Sequence, residues 1–137
     1  YRWSRTLKFA IYDLAKILHS VHGRYDFIIN DLFVLQQYEL NFTFNTPQTN
    51  YLAQLEQLLF TSLKQQNAFD TNDLILLESL LFLTMLPLHN DQPKRQIAFL
   101  LTGLKLLNEV HDATTLSTPT TQSAIPVTPL SALALQI

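Results

Sequence analysis

Apolar residues recur every three or four positions over most of this chain, and that spacing predicts helices. Leu7, Ile11, Leu14, Ile17, Leu18 and Val21 form one stripe, so a first helix is expected from about Arg5 to His22. Gly23 follows the last periodic residue and suits the left-handed position that ends many helices. Thr46-Pro47 reads as a helix start, and Tyr51, Leu52, Leu55, Leu58, Leu59 and Leu63 carry the second helix to about Gln66. Asp70 is the expected cap of a third, with Asp73 at its third position. That helix holds Leu74 to Met85, should stop near Pro87, and is apolar nearly all round, so it is expected at the centre. A fourth helix opens at Asp91 or Gln92 with Pro93 and ends near Val110. Ile97, Leu100, Leu101, Leu104 and Leu107 are its expected buried stripe.

Two stretches depart from this period. Tyr25 to Leu35 is apolar and aromatic, with short helical turns the first reading and a strand the second. Residues 38–44 alternate: Tyr38, Leu40, Phe42 and Phe44 fall on one side, Glu39, Asn41 and Thr43 on the other. A lone strand is unstable, so a partner or an extended packed segment is expected there. The fold class is mainly α: a four-helix bundle over residues 1–112, one short extended segment at about 38–44, and an irregular tail over 113–137. Thr114 to Pro129 holds eight Ser/Thr and three Pro, a linker composition, before Leu130 to Ile137 turns apolar again.

Composition narrows the function classes. Of 137 residues, 47% are hydrophobic and 15% charged, enough apolar material for a core without cross-links. There is no cysteine, which excludes a disulfide scaffold, a thiolate zinc site and a cysteine nucleophile. Net charge is -2 and the densest basic group is Lys94-Arg95, so nucleic acid is not expected as a partner. The longest apolar run, Leu74 to Leu88, is 15 residues and contains Glu78, so it reads as a core helix rather than a membrane span. With two glycines, a Gly-rich phosphate loop is not expected.

Candidate chemistry is sparse. His19 and His22 share a helix face, but no third or fourth metal ligand lies nearby in sequence, and a structural role is favoured. His89 with Asp91 and His111 with Asp112 sit at expected helix ends, which the helix dipole alone favours. No G-x-S-x-G nucleophile elbow is present. Lys94 and Arg95 fall in a first helical turn, where they are expected to be solvated or paired with an acid. Glu78 lies in the apolar helix and needs a cation or hydrogen bonds from another segment. Asp13 and Asp31 belong with it by residue type.

Tyr12-Asp13-Leu14-Ala15-Lys16, Leu18-His19-Ser20 and Gly23-Arg24-Tyr25-Asp26-Phe27-Ile28 are more specific. So are Glu78 to Asp91, Pro93-Lys94-Arg95-Gln96 and Gly103 to Glu109. Together, from Tyr12 to Glu109, they resemble the C-terminal helical lobe of aminoglycoside/choline-kinase-like phosphotransferases. The branch concerned occurs in bacterial capsule and surface-glycan gene clusters, sometimes joined to a sugar-phosphate nucleotidyltransferase. The resemblance implies a cytoplasmic parent enzyme that phosphorylates a small hydroxylated molecule with ATP and magnesium. It implies that Asp13, matching the aspartate of the family's D-L-A motif, is a buried acceptor that supports the catalytic loop and transfers no proton. The catalytic H-x-D and the metal-binding aspartate motifs are absent from this chain, and residues 1–12 contain no Asp, Glu or His. Phe9-Ala10-Ile11 stands where the family has a polar stretch. The chain begins at Tyr1, so it is expected to be a piece of a longer protein. No catalytic or metal-binding residue is expected in it, and its expected partner is a missing N-terminal lobe or another protein chain. The alternative is a non-enzymatic helical interaction or assembly module.

Overall fold

A computed structural model describes residues 5–117, with side chains over 9–116. Trp3 and the Leu130 to Ile137 segment lie outside the described residues. The chain is mainly helical. In order it forms α1 (Arg5–Val21), α2 (Tyr25–Ile29), β1 (Val34–Tyr38), β2 (Asn41–Asn45), α3 (Asn50–Gln66), α4 (Thr71–Thr84), a 3-10 turn (Leu86–His89) and α5 (Pro93–Ser117).

The extended segment expected at 38–44 is a hairpin. Val34 pairs with Asn45 and Tyr38 with Asn41, antiparallel, around a Glu39-Leu40 turn. Its first strand, β1, begins at Val34 at the end of the ambiguous Tyr25 to Leu35 stretch, otherwise occupied by α2 and a turn, and runs on to Tyr38. Residues 38–44 are therefore not one strand but the end of β1, the turn and most of β2. Leu35 and Phe44 face each other across the pair and are half-buried, and Phe44 packs against Phe33 with ring centroids 5.7 Å apart.

α4 lies between α1 and α5. One core cluster joins Ile28 of α2 to Phe82 of α4 and to Ala98, Phe99 and Leu106 of α5. A second joins Leu18 of α1, Leu63 of α3 and Leu74 of α4. By length and composition alone Thr71–His89 is apolar enough to cross a membrane, with mean hydropathy 1.4. In the structure it packs on both neighbours and buries Leu74, Glu78, Ser79 and Phe82.

Two helix starts follow from side-chain chemistry. Thr49, rather than Thr46, caps α3 by accepting from the Leu52 N–H, because Pro47 lies in the connection before the helix. Asp70 caps α4 by accepting from the Asn72 N–H at 2.7 Å. Asp70→Ala should therefore lower stability by about 1 kcal/mol, read as an earlier urea midpoint with an unchanged slope.

The α5 stripe is turned from its expected phase. Ala98, Phe99, Thr102, Gly103 and Leu106 are buried, whereas Leu100 and Leu104 are exposed. Leucines surround this helix, so apolarity does not fix which side faces inward; small residues do. A Cβ on Gly103 would lie 2.8 Å from Leu83 Cδ2, and the Ser79 hydroxyl donates to the Gly103 carbonyl at 3.0 Å. α5 also continues past Val110 and across residue 113 to Ser117, so the helical unit extends beyond 112. Likewise Ile17, Tyr51 and Leu58, expected in buried stripes, are exposed.

Candidate functional site

The described residues enclose a polar cleft of about 420 Å³ where α1 ends. His22, Gly23 and Arg24 form one wall, and Glu56 of α3 another. Lys105 and Glu109 of α5 lie opposite, and the segment after β2 contributes Thr46 and Gln48. The local backbone explains the wall. The His22 and Gly23 amides both donate to the Leu18 carbonyl, which closes α1. Gly23 is not the left-handed residue; Arg24 is, at φ 60° and ψ 32°. Gly23 serves packing instead. Gly23 lies so close to α4 that a Cβ there would sit 2.8 Å from Glu78 Oε1 and inside the Phe82 ring contact. Position 23 must lack a side chain for packing, and the left-handed reversal falls on position 24, at a cost of about 1 kcal/mol.

Arg24 is compensated. Its guanidinium is buried, donates to Glu56 Oε2 at 2.8 Å and also bonds the Val21 carbonyl. It thereby ties the α1–α2 joint to α3. Glu78 has the partner its setting requires: His22 Nδ1 lies 2.9 Å from Glu78 Oε2, between residues 56 positions apart. His22 Nε2 lies 3.6 Å from Glu109 Oε2, and Lys105 Nζ lies 3.7 Å from Glu109 Oε1. Burial disfavours the charged imidazole of His22, but the Glu78 hydrogen bond and charge, with Glu109 and Glu56, outweigh it and raise its pKa above 6.5. Burial pushes the Glu78 carboxyl up, helped by the Glu109 charge, and contact with His22 and the Gly23 amide only partly opposes it. The second Glu78 oxygen, Oε1, makes no well-formed hydrogen bond: the Gly23 amide that lowers the Glu78 pKa donates chiefly to the Leu18 carbonyl.

His19 and His22 share a helix but not an environment. His19 is buried between the Tyr25 and Phe82 rings, with centroids at 4.4 and 4.1 Å, and its Nε2 has no partner. Burial, helped by the Lys16 charge, lowers its pKa to about 4, so it is neutral at pH 7. Among the described residues no cluster of three His, Cys, Asp or Glu could hold a metal.

The other sequence candidates are dispersed. Asp13 is exposed midway along α1, not enclosed as a buried acceptor, and the loop it is expected to support is not among the described residues. Asp31 and Arg95 form a two-point ion pair at 2.8 and 2.6 Å, so one of the two first-turn cations of α5 has its acid. His111 lies 3.5 Å from Asp112 in an exposed pair, and the His89 ring packs 4.9 Å from Phe99. Sequence reasoning missed Arg24, Glu56, Lys105 and Glu109 as a group. Only the apolar surroundings of Glu78 signalled that a cation must approach. The chain matches no family model, no curated protein and no solved structure.

Proposed function

We propose that this chain is the C-terminal helical lobe of a kinase-like small-molecule phosphotransferase of surface-polysaccharide synthesis, catalytically incomplete alone. The observation that carries the reading is the outer face of α1. Phe9, Tyr12, Asp13, Lys16 and Ile17 recur at helical spacing, and all are exposed, Phe9 by 63%. Large apolar side chains around one carboxylate suit a surface covered by another polypeptide body. On this reading that body holds ATP and magnesium, and Asp13 accepts hydrogen bonds from its loop. The cleft at His22 and Arg24 faces the small hydroxylated substrate. The enzyme is cytoplasmic, with no membrane span and no nucleic-acid partner. The resemblance from Tyr12 to Glu109 supports the same assignment.

A second reading is a helical assembly module without catalysis. The hairpin favours it: Tyr38 is 76% and Leu40 91% exposed, with Val34 and Phe42 exposed beside them.

The test is ATP-dependent phosphate transfer by the gene product as the cell makes it, its length fixed first by intact mass. Magnesium-dependent transfer to a sugar or amino alcohol is expected. Asp13→Ala should reduce it at least about tenfold while changing the stability of the lobe by less than about 0.5 kcal/mol, since an exposed side chain supports little of the fold. A product that binds no ATP would leave the assembly module.

A further inference from the structure

We propose that the α1–α2 joint is a proton-operated latch: protonated His22 ties the end of α1 to Glu78 of α4 and Glu109 of α5 across the cleft, and loss of that proton releases it. The inference stands on the placement of charges and does not depend on the phosphotransferase reading.

The charged groups facing His22 come from every element around it. α4 supplies Glu78, fully buried, at 2.9 Å from Nδ1. α5 supplies Glu109 at 3.6 Å from Nε2, itself held by Lys105. α3 supplies Glu56, which is engaged by Arg24, and the Phe60 ring, edge-on to the imidazole at 5.1 Å. On α1, His19 is one turn away and neutral. Three carboxylates therefore surround one imidazole whose two nitrogens both face acceptors. Nδ1 is within hydrogen-bond distance of Glu78, Nε2 meets Glu109 only at ion-pair distance, and only the protonated ring carries a charge toward both.

The neutral ring breaks this arrangement in a defined way. Its one N–H can stay on Nδ1 toward Glu78, but the charge that faced both carboxylates is gone. Glu78 then becomes a buried carboxylate without a cation, the costly state for an acid in a dry site. Retaking a proton restores the closed pair, so the fully deprotonated pair has to be reached by water. Gly23 leaves no room on its side, since even a methyl group there would touch Oε1. Water has to enter from the cleft, past His22. His22 and Gly23 must then move about Arg24, whose backbone is left-handed and whose side chain stays tied to α3 through Glu56. The joint is closed below the His22 pKa and opens above it.

The test uses the full chain. His22 ring signals are followed by NMR across pH, alongside amide hydrogen exchange corrected for its intrinsic pH dependence. The expected His22 midpoint lies above 6.5. Exchange at residues 21–25 and 106–110 should rise by about tenfold through that midpoint. Glu78→Gln should lower the midpoint and carry the exchange step with it. Should Glu78→Gln fail to fold, Glu109→Gln at the rim decides: it must lower the midpoint and move the step in register. A midpoint at or below 6.5, exchange flat through the titration, or a step unmoved in the folding variant overturns the latch.

Discussion

Gly23→Ala should destabilise the fold by about 3 kcal/mol, the upper range for forcing a methyl group into a packed interior. Gly23 is where α1 touches α4, and a Cβ would penetrate the Phe82 ring and approach Glu78 Oε1 to 2.8 Å. Neither neighbour can yield. Phe82 is fully buried among Ile28, Ala98, Phe99 and Leu106, and Glu78 is held by His22. Urea denaturation should show the midpoint falling with little change in slope. The control is Arg24→Gly. Glycine relieves the left-handed backbone at that position by about 1 kcal/mol, which offsets part of the lost Glu56 contact. If Gly23→Ala proves as mild as Arg24→Gly, the close approach of α1 to α4 is wrong.

The second large effect is acid lability originating at His19. Its pKa falls from 6.5 to about 4 on folding, because burial disfavours the imidazolium. Between those values the unfolded chain binds a proton that the folded chain does not. Stability is therefore complete above pH 6.5 and is lost as pH drops toward 4, by about 2 to 3 kcal/mol in all. Glu78 acts oppositely over part of the same window: its raised pKa makes the folded state bind protons more tightly. The quantity to measure is thus the difference between wild type and His19→Phe as a function of pH. Phenylalanine retains the ring contacts with Tyr25 and Phe82 and removes an unpartnered buried nitrogen. His19→Phe should match or exceed wild-type stability at pH 7, and its advantage should grow by about 2 to 3 kcal/mol by pH 4. Parallel pH profiles for the two proteins would show that His19 is protonated when folded.

These effects also mark what could be read from sequence. The helices of α1, α3 and α4 are legible because their period and caps are local: Asp70 caps from two residues away, and Val21 ends a stripe that began near Arg5. The hairpin was half-legible. Residues 38–44 alternate, but the turn is Glu39-Leu40 rather than the Asn-Gly or Asp-Gly that usually marks one, so the partner strand stayed hidden. The need of Glu78 for a cation was readable from its apolar neighbours; that the cation is His22 was not.

The sequence by itself determined a mainly helical chain with its helices in these places, because hydrogen bonding within a helix and capping act over a few residues. Tertiary structure decided everything that depends on which surfaces meet. It chose the Ala98, Thr102 and Gly103 side of α5, because only small residues admit α4 so closely, although leucines surround both helices. It placed the left-handed backbone at Arg24 rather than Gly23, and it requires glycine at 23 because the Phe82 ring occupies the space a side chain there would need. It also gave two histidines of one helix opposite fates. One is buried between aromatic rings near the Lys16 charge and stays neutral, and the other meets carboxylates from α4 and α5 and holds a proton more tightly than a free imidazole.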